Sequence, residues 1–126
     1  MLCYIPKLDV MLCKYNSGER VMGLVHSGAA SSVVRAQPEL LWPVPAHWSL
    51  EDAATVPLAY VHALYCLVSG MLPGHNVLVH GGSGALGQAA IAIALAYGCK
   101  VFTTVSDSSK KKFLQKIYPE LKGNSR

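Results

Sequence analysis

The feature that most constrains this chain is a glycine-rich run placed between two apolar stretches. Residues 82–87, GSGALG, match the spacing G-x-G-x-x-G. Residues 76–80 before the run are nearly all apolar, which is typical of a strand covered on both faces. Residues 88–97 after it are rich in alanine and isoleucine and predict a helix that ends at Gly98. A strand, a tight turn and a close-packed helix in this order indicate a dinucleotide-binding unit.

Each glycine of the motif has a mechanical role in such a unit. The first permits the tight turn, the second leaves room between the backbone and a pyrophosphate, and the third lets the helix pack closely on the strand. The start of the helix offers unpaired N–H groups and the positive end of its dipole to the phosphates. A glycine-rich turn that serves packing alone is the alternative, and the flanking strand and helix favour binding.

The residues after the second predicted strand, 100–105, bear on which dinucleotide is bound. NAD-binding units place an acidic residue at the end of this strand to hold the ribose hydroxyls. Ser106 takes that position here, and Lys110 follows on a helix predicted over 108–118. Hydroxyls and a positive charge suit a 2′-phosphate, so the sequence favours NADP. Asp107 is acidic but lies one residue after the position expected for the acidic residue, so NAD remains the alternative. Three apolar residues of this helix are expected to face inward, with the lysines outward: Phe113, Leu114 and Ile117.

Upstream of the glycine run, the pattern predicts strands followed by helices. Residues 20–26 and 30–36 read as two strands separated by a turn at Ser27-Gly28, and prolines hold residues 40–42 in an extended connection.

The next stretch carries helix signals. Ser49 and Asp52 have the spacing of a capping box. Because Pro57 follows so soon, we expect a short helix, a break, and a longer helix over 57–68. Four apolar residues of this helix fall on one stripe, as in an amphipathic helix: Val61, Leu64, Tyr65 and Val68.

Composition places the chain among globular proteins. It has 126 residues, of which 52% are hydrophobic and 14% charged, enough for one modest domain or parts of two. Lys7 and Asp9 interrupt what would otherwise be a signal peptide, and the most apolar run, 85–99, is too short to cross a bilayer. The scattered cysteines predict neither a zinc site nor a disulfide framework, and favour a cytoplasmic setting: Cys3, Cys13, Cys66 and Cys99.

The net charge of +4 is concentrated near the C-terminus. No aromatic stacking pattern accompanies the basic residues, so a solvated helix face is favoured over nucleic-acid binding. The residues concerned are Lys110, Lys111, Lys112, Lys116, Lys122 and Arg126.

Four stretches, 20–25, 48–57, 80–94 and 98–105, resemble the enoyl reductase of animal fatty acid synthase, within the medium-chain dehydrogenase/reductase superfamily. Quinone reductases fit the last two stretches less well. The resemblance implies an α/β fold: the N-terminal part of a Rossmann-type parallel sheet (strand-helix-strand-helix), preceded by the last strands of a β-rich substrate domain and by linker helices.

The resemblance also divides the chain into parts. Residues 1–18 do not match this family, with disorder as one interpretation of them, while 19–48 correspond to the tail of the substrate domain. Residues 49–70 correspond to the linker helices and 71–126 to the first half of the NADP-binding domain. The chain therefore resembles a fragment, and we expect it to be inactive alone.

The implied activity is NADPH-dependent reduction of a trans-2-enoyl thioester carried by an acyl carrier protein, without a metal. The implied partners are the carrier and the other domains of a homodimeric parent synthase, with no nucleic acid and no membrane. A polyketide synthase enoyl reductase and a free-standing quinone oxidoreductase are the alternatives of the same class. A non-catalytic nucleotide-binding remnant is the alternative of another class.

The resemblance assigns roles to particular residues. It implies Lys110 as a catalytic proton donor, but the end of the second strand normally faces the adenosine half of a dinucleotide, which favours a 2′-phosphate contact instead. An ordinary surface lysine is the third reading. The cofactor-binding set is Gly82, Ser83, Gly84, Ala85, Leu86, Gly87, Thr104, Ser106 and Lys110.

Overall fold

The structure is a computed structural model that describes residues 3–4, 15–28 and 30–121, with only the backbone described for residues 3–4. It divides into two compact units, Met1–Leu58 and Ala59–Arg126. Helix α1 (Leu50–Val68) contributes residues to both. The predictions made for Cys13, Lys122 and Arg126 lie outside the described residues, as do those for residues 1–2 and 5–14 of the segment 1–18.

The first unit contains a small antiparallel sheet. Strands β1 (Cys3–Tyr4), β2 (Arg20–Gly23) and β3 (Leu41–Pro43) pair in the order β1-β2-β3. A 3-10 turn at Pro38–Leu40 leads into β3. Val21 and Leu41 are buried, and the Tyr15 hydroxyl closes this core by donating a 2.6 Å hydrogen bond to the Leu41 carbonyl.

Of the two strands predicted in this unit, the first is confirmed but is shorter than predicted, and the second is wrong. The strand predicted over 20–26 ends at Gly23, and residues 30–36 form no strand, because β2 pairs with β3 instead. At Gly23 a Cβ would lie 2.2 Å from the carbonyl oxygen of Leu40, so the chain approaches too closely there for an ordinary side chain. Val34 and Ala36 pack on the Val21–Leu41 core without strand geometry. Strand propensity yields here to the packing that the neighbouring segments provide.

Helix α1 is continuous, so the break predicted at Pro57 is wrong. The predicted capping box is confirmed: the Asp52 N–H donates to Ser49 Oγ at 3.0 Å, and the Ser49 N–H donates to the Asp52 carboxylate at 3.3 Å. Pro57 removes one backbone hydrogen bond from the helix interior. Because Pro57 is buried and the helix runs for 19 residues, capping and packing offset that loss.

The apolar stripe of this helix is not its core-facing side, and only Val61 of its four residues is partly buried. Tyr65 is 86% exposed, and Leu64 and Val68 are about half exposed. Ala63 is buried instead, and Ala59 and Leu67, four residues to either side of it, pack against the same core. Residues four apart share one helix face, and two alanines on that face let the helix approach its neighbours closely.

The second unit has the predicted element order, and the Rossmann-type arrangement is confirmed. Strands β4 (Asn76–His80) and β5 (Lys100–Thr104) are parallel, with helix α2 (Ala85–Ala96) between them in the chain and α3 (Ser108–Ile117) after them. Gly98 has a φ of +73°, as expected of the residue that ends a helix. Buried residues of the core include Ala89, Ile91, Ala94, Val101 and Leu114.

Helix α3 buries a different stripe from the predicted one. Phe113 and Ile117 are each 45% exposed, and only Leu114 of the three is buried. The least exposed residues, Lys111, Leu114 and Tyr118, are spaced three and four apart. The inward face of the helix is therefore rotated from the one that the apolar residues indicate.

The sheet of the second unit is covered unequally. Val79 and Val101 are buried, whereas Leu78 is 59% exposed and Phe102 44% exposed. Alternate residues of a strand face opposite sides of a sheet, so one face lies in the core and the described residues leave the other open. Among the described residues, no helix is long and apolar enough to cross a membrane.

Candidate dinucleotide site

The glycine-rich turn is fastened to the end of the neighbouring strand. Gly81, at a φ of +71°, turns the chain out of β4. Its N–H donates to the Thr104 hydroxyl at 3.3 Å, and the N–H of Gly82 donates to the Thr104 carbonyl at 3.1 Å. Thr104 also lies opposite His80 in the parallel register, with 3.1 Å between the His80 Nδ1 and the Thr104 hydroxyl. Thr104 therefore positions the turn through protein contacts.

The glycines at 82 and 87 are required by packing. A Cβ on Gly82 would lie 2.0 Å from the Thr103 hydroxyl, which itself donates to the Val79 carbonyl at 2.8 Å. A Cβ on Gly87 would lie 2.4 Å from the Gly81 carbonyl oxygen. Any side chain at either position would force the turn away from the strand or from the helix.

The glycine between them stands in open space. A Cβ on Gly84 would meet only the Gly81 carbonyl oxygen, at 3.6 Å, which is an ordinary contact. Packing therefore gives no reason for a glycine there. The close approach of a ligand to the backbone gives one, as in the role that the motif assigns to its second glycine. The residues present fit a pyrophosphate at this point.

Gly84 is the N-cap of α2 and brings no side chain to cap the helix. The first-turn N–H groups of such a helix have no partner within the helix, and they carry its positive dipole end. Ala85 and Leu86 in this turn are exposed, and the turn contains no acidic residue. Such a helix start favours an anion.

A mainly apolar cavity of about 400 Å³ borders the turn within the second unit. Side chains of α1, β4 and α2 line it, and Gly81 and Gly84 form part of its rim. Its walls include Ala63, Leu67, Val77, Val79, His80 and Ala90.

The predicted 2′-phosphate residues lie together where β5 ends and α3 begins. Lys110 Nζ donates to the Ser106 hydroxyl at 2.7 Å and lies 3.4 Å from the Asp107 carboxylate. All three residues are exposed. Since His80 and Thr104 end adjacent parallel strands, this cluster and the glycine turn follow the same edge of the sheet.

Asp107 caps its own helix with one carboxylate oxygen, and its other oxygen accepts from the Ser106 hydroxyl at 3.1 Å and lies 3.4 Å from Lys110 Nζ. Its carboxylate accepts from the Ser109 hydroxyl and from the N–H groups of Ser109 and Lys110, both at 3.0 Å, as the N-cap of α3. The Ser109 hydroxyl first, and then the Lys110 N–H, hold the pKa of Asp107 well below its ordinary value. A carboxylate engaged in this way is a poor acceptor for ribose hydroxyls, which weakens the NAD alternative.

Sequence reasoning assigned no role to three residues that shape this site. His80 contacts Thr104, Thr103 supports Gly82, and Gln88 Nε2 donates to the Ser83 carbonyl at 2.8 Å. His80 and Thr103 lie near the strand ends that the pattern predicts, but which partners they meet depends on the parallel register. In the described parts of the chain, no three His, Cys, Asp or Glu side chains are placed to hold a metal ion.

No protein-family profile matches the chain. Among curated proteins, it is 41% identical over 99 residues to the lovastatin diketide synthase mokB of Monascus pilosus, covering 77% of this chain and 4% of that one. It is 39% identical over 104 residues to the highly reducing polyketide synthase valA of Aspergillus terreus, covering 81% of this chain and 4% of that one.

Among solved structures, the CurK enoyl reductase superposes with a TM-score of 0.76 at 35% identity, covering 84% of this chain and 32% of that one. Over these residues, the chain matches the enoyl reductases of the medium-chain dehydrogenase/reductase superfamily. The quinone oxidoreductase of Thermus thermophilus, also determined in complex with NADPH, superposes with a TM-score of 0.64 at 34% identity, covering 74% of this chain and 32% of that one.

The comparisons bear on which synthase the chain resembles. It spans only a few per cent of the length of these curated relatives and about a third of the length of these solved structures. Both curated relatives are polyketide synthases. The comparisons thus support the enoyl reductase prediction in general, and favour the polyketide alternative over a fatty acid synthase.

Proposed function

We propose that the chain is part of an NADPH-dependent enoyl reductase in a reducing polyketide synthase and supplies the pyrophosphate and 2′-phosphate contacts of the cofactor. The observation that carries this proposal is that packing requires only two of the three glycines of the motif. Packing requires glycine at positions 82 and 87. It does not require glycine at position 84, where the missing side chain leaves space for a ligand beside the backbone at the start of α2. The similarity to polyketide synthases and to the CurK enoyl reductase supports the parent activity.

NADPH is favoured over NADH by the cluster at the start of α3. Ser106 and Lys110 carry a hydroxyl and an ammonium group 2.7 Å apart, which are donors of the kind that a phosphate accepts from. The Ser106 hydroxyl donates to the Asp107 carboxylate at 3.1 Å, so it would exchange that acceptor for a bound phosphate. Asp107 neutralises part of the charge but is bound to its own helix. The T. thermophilus relative, solved with NADPH, supports the same choice. Gly82 to Gly87 would hold the pyrophosphate, and Thr104 would hold the turn against β5.

In the parent enzyme, NADPH supplies the hydride that reduces the alkene of an enoyl thioester on a carrier protein. The residues described here bind and orient the adenosine and pyrophosphate half of the cofactor. Lys110 is assigned to the 2′-phosphate and not to proton donation, because it follows β5 beside Ser106. The carrier protein, a homodimeric parent and a cytoplasmic location belong to the same proposal.

A free-standing quinone oxidoreductase is the second candidate, and the similarity to the T. thermophilus enzyme is the observation that favours it. The gene sequence on either side of this segment distinguishes the two. Flanking ketoreductase and carrier-protein coding would support the synthase, whereas a single reductase reading frame would support the quinone oxidoreductase.

The test of the proposed function uses the complete reductase that contains this chain, with crotonyl thioester as the substrate. We expect NADPH oxidation that depends on the thioester, at a much lower KM for NADPH than for NADH. A reductase that turns over the thioester equally well with both cofactors would contradict the assignment of Ser106 and Lys110. No turnover with either cofactor would contradict the enoyl reductase proposal.

A further inference from the structure

Gln88, in the first turn of α2, connects the helix to the glycine turn. Its side-chain amide donates to the Ser83 carbonyl at 2.8 Å, and its backbone N–H donates to the Gly84 carbonyl at 2.8 Å. The Gly84 N–H, at the other end of the Ser83–Gly84 peptide, donates to the Gly81 carbonyl at 3.1 Å. Both polar groups of that peptide are thus bonded within the protein.

Gln88 is itself held from the far end of the unit. The Tyr118 hydroxyl, at the end of α3, donates to the Gln88 carbonyl at 3.2 Å. Burial, with a smaller contribution from Tyr60, raises the pKa of Tyr118 above its ordinary value, which by itself already keeps the hydroxyl protonated at neutral pH. Gln88 and Ser83 are both partly buried, which limits the competition from water for their hydrogen bond.

The orientation of this peptide matters for an anion. If the Ser83–Gly84 peptide rotated, the Ser83 carbonyl oxygen would leave Gln88, and its partial negative charge would turn toward the open side of the turn. Gly84 resists such rotation only weakly by itself, because glycine has no side chain to restrict its backbone.

We infer that Gln88 is a positioning residue of the pyrophosphate site, which holds the Ser83 carbonyl away from the bound anion. The inference rests on the proposed function and extends it to a residue outside the G-x-G-x-x-G motif. Gln88 touches the turn and not the ligand, so its effect should be confined to ligands that carry a pyrophosphate.

The experiment compares two small probes on the complete reductase that contains this chain, by ligand-observed NMR titration, which detects weak binding. ADP carries the pyrophosphate, and 2′-AMP carries the 2′-phosphate without it. Gln88→Met keeps the length of the side chain and removes the donor. We expect it to raise the Kd for ADP about fivefold, the effect of one neutral hydrogen bond, and to leave the Kd for 2′-AMP unchanged. Gln115→Met, at an exposed position of α3, is the matched control and should change neither.

A second variant, Gln88→Glu, replaces the donor by a carboxylate that faces the Ser83 carbonyl, and should weaken ADP more than Gln88→Met does. An unchanged Kd for ADP in Gln88→Met would overturn the inference. So would an equal loss of both probes, since that would indicate a general loss of structure. If the unmodified reductase binds neither probe, the proposed function itself is wrong.

Discussion

Lys110 provides the sharpest test of the cofactor assignment. Its ammonium group lies 2.7 Å from the Ser106 hydroxyl and 3.4 Å from the Asp107 carboxylate, in a cluster that offers donors to a 2′-phosphate. Replacing Lys110 with Ala removes one charge-assisted hydrogen bond to that phosphate. NADH has no 2′-phosphate, so its affinity should change little.

The magnitude follows from the exposure of the side chain. A hydrogen bond to a charged group contributes roughly 1.5–3 kcal/mol. The Lys110 side chain is 49% exposed, so solvent screens the interaction, and we take the lower end of that range. At about 1.4 kcal/mol for each tenfold change, Lys110→Ala should raise the Kd for NADPH about tenfold.

The assay is a titration of NADPH and NADH into the complete reductase, followed by cofactor fluorescence at two salt concentrations. The difference between the cofactors should shrink at high salt, because an exposed charge is screened. Lys112→Ala, at another exposed position on α3, is the matched control and should leave both Kd values unchanged. Equal weakening of NADPH and NADH by Lys110→Ala would refute the 2′-phosphate assignment.

Three further outcomes are expected. Gly84→Val should abolish binding of NADPH and NADH by blocking the pyrophosphate, while the melting temperature stays close to that of the unmodified protein. Retained affinity for the cofactors would show that the turn is not part of the binding site. Because the pKa of Asp107 is lowered on folding, its contribution to stability is present above the unfolded pKa of about 3.9 and is lost as pH falls. Asp107→Ala should therefore lower the melting temperature at pH 7 more than at pH 3. An equal loss at both pH values would contradict the capping role. The chain expressed alone should show no turnover of crotonyl thioester and should aggregate, because Leu78 and Phe102 leave one sheet face open. Leu78→Lys should reduce that aggregation. Turnover together with a cooperative melt would contradict the prediction.

The glycine motif could be recognised from sequence because its determinants are local. Strand β4 was predicted with its observed ends, and α2 ends at Ala96, two residues before Gly98, the glycine that the pattern indicates as its stop. The capping box at Ser49 is likewise a contact between residues three apart. Turn, cap and strand signals act within a few residues, so neighbouring residues are enough to predict them.

Only part of the candidate site could be predicted from local sequence signals. The spacing of Ser106 and Lys110 places them one helical turn apart, and the structure brings them within hydrogen-bond distance. The position of Asp107 just before α3 is enough to predict that it caps this helix. That position does not predict how the cap affects the choice between NAD and NADP. The contacts of Thr104 with the glycine turn join residues more than 20 positions apart, and only the parallel pairing of β4 and β5 creates them.

In the second unit, local sequence signals are enough to predict the order of strand, turn, helix, strand and helix, because each of these elements is encoded by periodicity and by local breakers. Three other outcomes could not be predicted in this way: β2 pairs with β3, α1 runs through Pro57, and Ala63 rather than Leu64 faces the core. Those outcomes depend on what each segment packs against. Several faces of a helix or partners for a strand are locally acceptable, and burial against distant residues selects among them.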